Sequence, residues 1–290
     1  MTTLVIIGNG FDIQNGLPTS YRDFHNLYSS ELGSSLEYFP NFYNHQEWSY
    51  FEENLAVFDE DNFRESSAWE PSMDEMVESS KYAYGFNDEI DQKVGDLVDS
   101  IHTSFNAWVK SIDVSNASRF MQFPEDCAFI SFNYTPTLQH VYRIPDENVL
   151  HIHGKVGGYI IFGHGSGDGN KEHSLPFDED EPWFEDAHHS LASVTDKLYK
   201  PVSEILDNNR STLKSYGDVS KIIVIGHSIN EIDIPYFKIV LDSYPDAIWE
   251  NWNYGDGISE SHKKLLSLGV DESRLSSACS SELSLIYPWS

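Results

Sequence analysis

Cysteine is nearly absent: Cys127 and Cys279 are the only two in 290 residues. Neither a disulfide framework nor a four-cysteine zinc site is within reach, and two reduced thiols are the expectation. Basic residues are scarce as well. Eighteen Lys and Arg face 47 Asp and Glu, a net charge of −29. Such a field repels phosphate backbones and anionic lipid, so neither direct nucleic-acid binding by a basic face nor membrane association is expected. No apolar run approaches 18 residues, and no basic region precedes the short run that ends at Gly8. A membrane span and a signal peptide are both excluded on this reading, and a cytoplasmic protein is expected. Three motif absences narrow the chemistry further. Without a GxSxG elbow a serine hydrolase is poorly supported. Without HxxxH-type or CxxC spacing no metal is expected, although 12 histidines leave a site of dispersed ligands open. GxGxxG fails because Ile13 stands at its last position.

What is present is an alternating pattern. Leu4-Val5-Ile6-Ile7, Ala128-Phe129-Ile130-Ser131-Phe132 and Lys221-Ile222-Ile223-Val224-Ile225 are continuous runs of the kind buried on both faces of a parallel sheet. Each ends in a polar or glycine turn followed by a helix start: Ser20 with Asp23, Thr135-Pro136 as N-cap and N1, and Asp233 before Pro235. Residues 149–153, 159–162 and 247–252 read as further strands. The fold class expected is α/β, a Rossmann-like, mostly parallel sheet flanked by helices. Within it, Ile90, Val94, Leu97, Val98, Ile101, Phe105 and Trp108 mark one face of a long helix. Shorter helices are expected at 48–58 and 72–84. Residues 33–123 therefore read as a helical insertion into a core made of 1–32 and 124–290. The insertion is strongly acidic: 16 Asp and Glu against Arg64, Lys81 and Lys93 lie between Glu47 and Ser100, a net of −13. A solvated helical face accounts for this. A second acidic run, Asp178-Glu179-Asp180-Glu181, reads as part of a lid or a loop.

Ligands of a doubly wound sheet bind beyond the carboxyl ends of its strands, which selects the three turns. Gly8-Asn9-Gly10, with Phe11 and Asp12, offers either a nucleotide loop or a tight structural turn. Asn133 follows its strand directly and serves a ribose hydroxyl, a water, or an Asx turn. His153, beside Gly154, is the better general base of the pair His151 and His153, with a structural histidine as the alternative. Gly226, His227 and Ser228 end the third run. Asp12 and Asp233 could bond a ribose or cap a helix.

Together these segments resemble the AbiH family of bacterial phage abortive-infection proteins. The resemblance rests on residues 4–12 with Gly16-Leu17-Pro18-Thr19-Ser20-Tyr21, then on 131–135, 151–154 and 225–233 in that order. AbiH proteins in turn resemble the sirtuin-like NAD-binding fold. That likeness implies a first NAD loop at Gly8, Asn9, Gly10, Phe11 and Asp12, and a further cofactor contact at Gly226, His227 and Ser228. It also implies His153 as the base and Asn133 as the residue orienting the nicotinamide ribose or the attacking water. Two departures bear on the reaction. Thr135 stands where sirtuins carry the aspartate of Asn-x-Asp, and their zinc module is missing. What remains is hydrolysis of the nicotinamide–ribose bond of NAD. Two other functions stay open: a non-catalytic sensor of NAD or ADP-ribose that switches a partner, and an acidic nucleic-acid mimic. The expected partners are a small nucleotide and a phage-derived or host protein acting as trigger, with homo-oligomerisation open.

Overall fold

The computed structural model describes residues 2–42, 50–67, 72, 74–75, 79, 81–165 and 185–289. Six strands, β1 (Thr2–Ile7), β2 (Cys127–Ser131), β3 (Val149–His151), β4 (Val219–Ile225), β5 (Ile248–Asn253) and β6 (Leu275–Cys279), form one sheet in the order β3-β2-β1-β4-β5-β6. Every pairing is parallel. This is the doubly wound, Rossmann-like order, with its reversal between β1 and β4.

The central strands alternate between two cores. Leu4, Ile6, Ile222 and Val224 pack on one face, and Val5, Ile7, Ile223 and Ile225 on the other. Apolar residues at every position are thus required, because both faces are covered. Register brings Ile7, Ser131, His151, Ile225 and Trp252 into one row across the sheet. The loops that follow all leave from one level.

The chain divides into two compact units: residues 1–20, 109–161 and 202–290, which carry the sheet, and residues 21–108 and 162–201. The second unit is helical and aromatic. Its long helix belongs to Lys81–Ser111, and all seven residues of the expected apolar face, from Ile90 to Trp108, are buried. Phe105 stacks on Phe162 with centroids 4.0 Å apart, and Phe24 meets Phe51 edge-on at 5.1 Å and Trp108 at 5.0 Å. Lys200 forms a buried ion pair with Glu52 at 2.5 Å, and Tyr21 Oη and the Gly163 amide donate to the same carboxylate.

Several local expectations are corrected. A short helix, Asn9–Gln14, starts immediately after Gly8, so the first turn is tighter than the long link to Ser20 suggested. The helix after β2 starts at Thr137 with Pro136 at its N-cap, one residue later than expected, because the Thr135 hydroxyl is bonded to Asp12 instead of capping. β3 stops at His151, and at 159–162 a single antiparallel bridge, Gly154 to Ile160, replaces the expected strand. β6 escaped notice since Leu275-Ser276-Ser277-Ala278-Cys279 holds one large apolar residue at a sheet edge. In the 48–58 region the described helix is Phe51–Asn54. The acidic run 178–181 and parts of the helices expected at 48–58 and 72–84 lie outside the described residues. No described helix is long and apolar enough to cross a membrane.

Candidate active site at the carboxyl ends of β1, β2, β3 and β4

The turns after β1 and β4 interlock. Gly8 N donates to Ile225 O at 3.0 Å and Gly10 N to Gly226 O at 2.8 Å. A Cβ on Gly10 would stand 2.7 Å from Gly226 Cα, and one on Gly226, at φ 63°, would stand 2.3 Å from Phe11 N. Glycine is needed here because two backbones pass in contact. The amides of Gly8 and Gly10 are thereby engaged within the protein, while Asn9 remains exposed and its Nδ2 donates to Thr19 O at 2.7 Å. Phe11 is fully buried in the apolar core against Tyr142, Phe120 and Phe123.

Asn133 is buried at the end of β2, and its Nδ2 donates to Gly8 O at 3.0 Å. Its carbonyl accepts from His151 Nδ1 at 3.1 Å. Since a carbonyl only accepts, His151 carries its proton on Nδ1, leaving Nε2 to accept from Gln139 Nε2 at 2.9 Å. The Gln139 amide is held by the same nitrogen's second bond, to Asp146 at 3.1 Å. Burial depresses the His151 pKa, only partly offset by the Asn133 carbonyl, which agrees with a neutral ring. His151 is thus a strut for the Asn133 loop.

Asp12 is buried and accepts a hydrogen bond from Thr135 Oγ1, which lies 2.9 Å from Thr137 Oγ1. Burial pushes its carboxyl up to about 6, against the lowering effect of the Thr135, Thr137 and Asn133 side chains. His153, also buried, sits edge-on to Phe132 at 5.4 Å and to Tyr236 at 5.6 Å. Its loop is fastened to that of Asn133: Val156 N donates to Tyr134 O at 2.8 Å and Tyr134 Oη to Ile161 O at 3.1 Å.

His227 also meets the Phe132 ring edge-on, 4.4 Å between centroids. Its Nδ1 accepts from Ile229 N at 2.8 Å, and its Nε2 faces Asp233 Oδ2 at 3.6 Å. The Ile229 amide reaches it only because that buried residue adopts φ 53°, a conformation that costs a β-branched side chain on the order of 1–3 kcal/mol. With Nδ1 accepting, the neutral ring keeps its proton on Nε2, so His227 is an oriented donor and not a base. Ser228 is exposed, and Lys264 Nζ donates to its carbonyl at 3.0 Å.

The fold therefore gathers Gly8, Asp12, Asn133, His153, Gly226 and His227 at one end of the sheet, with Asn9 and Ser228 at its exposed rim and Phe11 in the core. Thr137, Tyr236 and the strained Ile229 escaped the sequence reading. Threonine and tyrosine carry no motif there, and nothing in an isoleucine codon position signals a positive φ. No set of three His, Cys, Asp or Glu among the described residues could hold a metal ion.

Comparison with known families adds one match. The model of a family described as bacteriophage abortive infection AbiH covers residues 4–251. The chain belongs to the AbiH family. No curated protein and no solved structure matches it.

Proposed function

With AbiH membership as the premise, we propose that this abortive-infection protein is an NAD-consuming hydrolase with a sirtuin-like cleft at the carboxyl ends of β1, β2 and β4. The observation that carries the reading is the state of Asn133. Its Nδ2 donates to the Gly8 carbonyl, and among the described residues no donor meets its Oδ1. A residue held this way offers an acceptor, which is what a water or ribose hydroxyl needs to be oriented by its own hydrogen.

In the proposed reaction a water held by Asn133 Oδ1 attacks C1′ of the nicotinamide ribose. The C1′–N bond breaks, and its electron pair leaves with nicotinamide, which becomes neutral. His153 takes the proton that the water loses. The products are nicotinamide, ADP-ribose and a proton, and no oxidant or reductant is consumed. The oxocarbenium-like centre is favoured by the negative field of an acidic protein. Because Gly8 N and Gly10 N are engaged by the carbonyls of Ile225 and Gly226, the pyrophosphate would draw on Asn9, Ser228 and Lys264 instead.

The test is nicotinamide release from NAD by the wild-type chain and by His153→Ala, with NAD binding followed by calorimetry. Release by wild type and its loss in the variant, with binding retained, supports the reading. Binding without release by wild type points to a nucleotide sensor. Absence of both removes the sirtuin-like assignment.

A further inference from the structure

Gln139 belongs to no motif, yet the hydrogen bonds behind Asn133 run through it. It lies partly buried in the helix Thr137–Tyr142. One proton of its Nε2 goes to Asp146 Oδ1 at 3.1 Å and the other to His151 Nε2 at 2.9 Å. His151 Nδ1 in turn donates to Asn133 O at 3.1 Å, and Lys155 Nζ meets the same Asp146 oxygen at 2.5 Å. Gln139 Oε1 is buried and no donor meets it among the described residues, which costs stability. An amide that leaves its oxygen unsatisfied is held in place by what its nitrogen binds.

Polarity runs one way along this chain. Lys155 holds the Asp146 carboxyl below the usual range, and an ionised carboxylate only accepts. The amide must therefore turn its nitrogen toward Asp146, since in the flipped orientation Oε1 would oppose a second acceptor. Gln139 Nε2 then reaches His151 as a donor, and the ring nitrogen that accepts carries no proton. Burial lowers the His151 pKa and Lys155 adds to the fall, against the Asn133 carbonyl and Asp146, which agrees with one proton on the ring. That proton is thereby placed on Nδ1, facing the Asn133 carbonyl. Without Gln139 the neutral ring is free to take the other tautomer, whose Nδ1 lone pair would oppose the carbonyl oxygen.

We propose that Gln139 is a positioning residue of this site: by fixing the tautomer of His151 it holds the Asn133 carbonyl, and with it the loop that aims the Asn133 side chain. In this assignment neither Gln139 nor His151 touches the nucleotide. It rests on the hydrolase reading only for what Asn133 Oδ1 then holds. Two bonds to Asn133 do not pass through Gln139, Ser131 Oγ to Asn133 O at 3.3 Å and Asn133 Nδ2 to Gly8 O at 3.0 Å. Loss of the chain therefore misaims the loop without unfolding it.

The deciding measurement is the tautomer of His151, read near neutral pH from long-range ¹⁵N–¹H spectra of the full chain. Wild type should show a protonated Nδ1 and a bare Nε2, and the reverse or a mixture overturns the proposal. Gln139→Leu should bring in the Nε2–H form and move the side-chain amide signals of Asn133. A ring that stays wholly Nδ1–H in this variant, or Asn133 signals left in place, overturns it as well. Asp146 is exposed, so Asp146→Ala keeps the fold and should admit the second tautomer in part. If Gln139→Leu does not fold, Asp146→Ala decides: a second tautomer supports the assignment and its absence overturns it. A further readout is nicotinamide release, where Gln139→Leu should lower kcat on the order of 10-fold with KM changed far less. A raised KM with kcat intact would place Gln139 against the ligand and overturn the assignment. If wild type releases no nicotinamide, the hydrolase reading fails, and the His151 tautomer with the Asn133 signals still decides the role of Gln139.

Discussion

Among the described residues each unit buries one carboxylate, Glu52 in the helical unit and Asp12 in the sheet unit, and the two are compensated in different ways. In the helical unit Glu52 has a full cation, Lys200 at 2.5 Å, plus donors from Tyr21 and the Gly163 amide. In the sheet unit Asp12 has only neutral donors, and burial leaves its pKa raised to about 6. The first arrangement serves cohesion: it ties residue 200 to residue 52 within an aromatic core. The second retains an electrostatic cost at neutral pH, at the end of a sheet whose topology builds ligand sites. That residual cost, together with the strained Ile229 after β4, is the pattern expected where local rules yield to function.

The contrast breaks most sharply at Lys200. Lys200→Met strands the Glu52 charge and should lower stability by about 3–5 kcal/mol, whereas Lys200→Met combined with Glu52→Gln should recover much of that loss. Urea unfolding of the wild type and the two variants measures it, and a loss below about 1 kcal/mol for Lys200→Met would mean the pair behaves as a surface one. Asp12 should respond in the opposite sense. The folded carboxyl keeps its proton up to about 6, while the unfolded chain releases it near the ordinary 3.8. Ionised Asp12 therefore subtracts stability progressively as pH rises through that window, and the deficit is constant above it. Asp12→Asn lacks this dependence, so its stability relative to wild type should improve by up to about 3 kcal/mol between pH 4 and pH 7. Thermal unfolding at both pH values checks it, and a pH-independent difference would show that Asp12 is not shifted. Next in size is Gly226→Ala, where positive φ and the approach of Phe11 N combine. A loss of about 2 kcal/mol or more is expected, read as a lower denaturation midpoint. An unchanged midpoint would dissolve the interlock of the β1 and β4 turns.

The sheet unit and the helical unit also differ in how legible they were. The strands β1, β2 and β4 were visible since burial on both faces forces unbroken apolar runs, and the 31-residue helix Lys81–Ser111 since one buried face leaves a helical period. The edge strand β6 and the end of β3 were not, because short edge segments bury little. Within the candidate site, Asn133 and His153 were singled out from the strand ends expected of them, and Asp12 from its place in the glycine turn. Their partnerships were hidden. Thr135 looks like an N-cap in sequence, and only the pairing of β1 with β2 shows its hydroxyl facing a residue 123 positions away. The Gly8 and Gly10 amides likewise suggest a phosphate loop until the parallel pairing of β1 with β4 brings Ile225 O to Gly8 N and Gly226 O to Gly10 N. Nonlocal contacts set the roles; residue types set only the candidates.

The smallest expected effect concerns the rim. Ser228 is exposed, and the contact of Lys264 is with its carbonyl oxygen, so Ser228→Ala should alter stability by less than about 0.5 kcal/mol. Any change in NAD affinity then belongs to the hydroxyl itself, and one lost hydrogen bond of about 1 kcal/mol is a several-fold rise in Kd by calorimetry. Unaltered affinity would confine the contribution of this turn to the glycine interlock and the His227 clamp. That result would sharpen the comparison, because the ligand surface of the sheet unit would then rest on Asn133 and His153, with everything after β4 serving, like the Glu52–Lys200 pair, to hold structure.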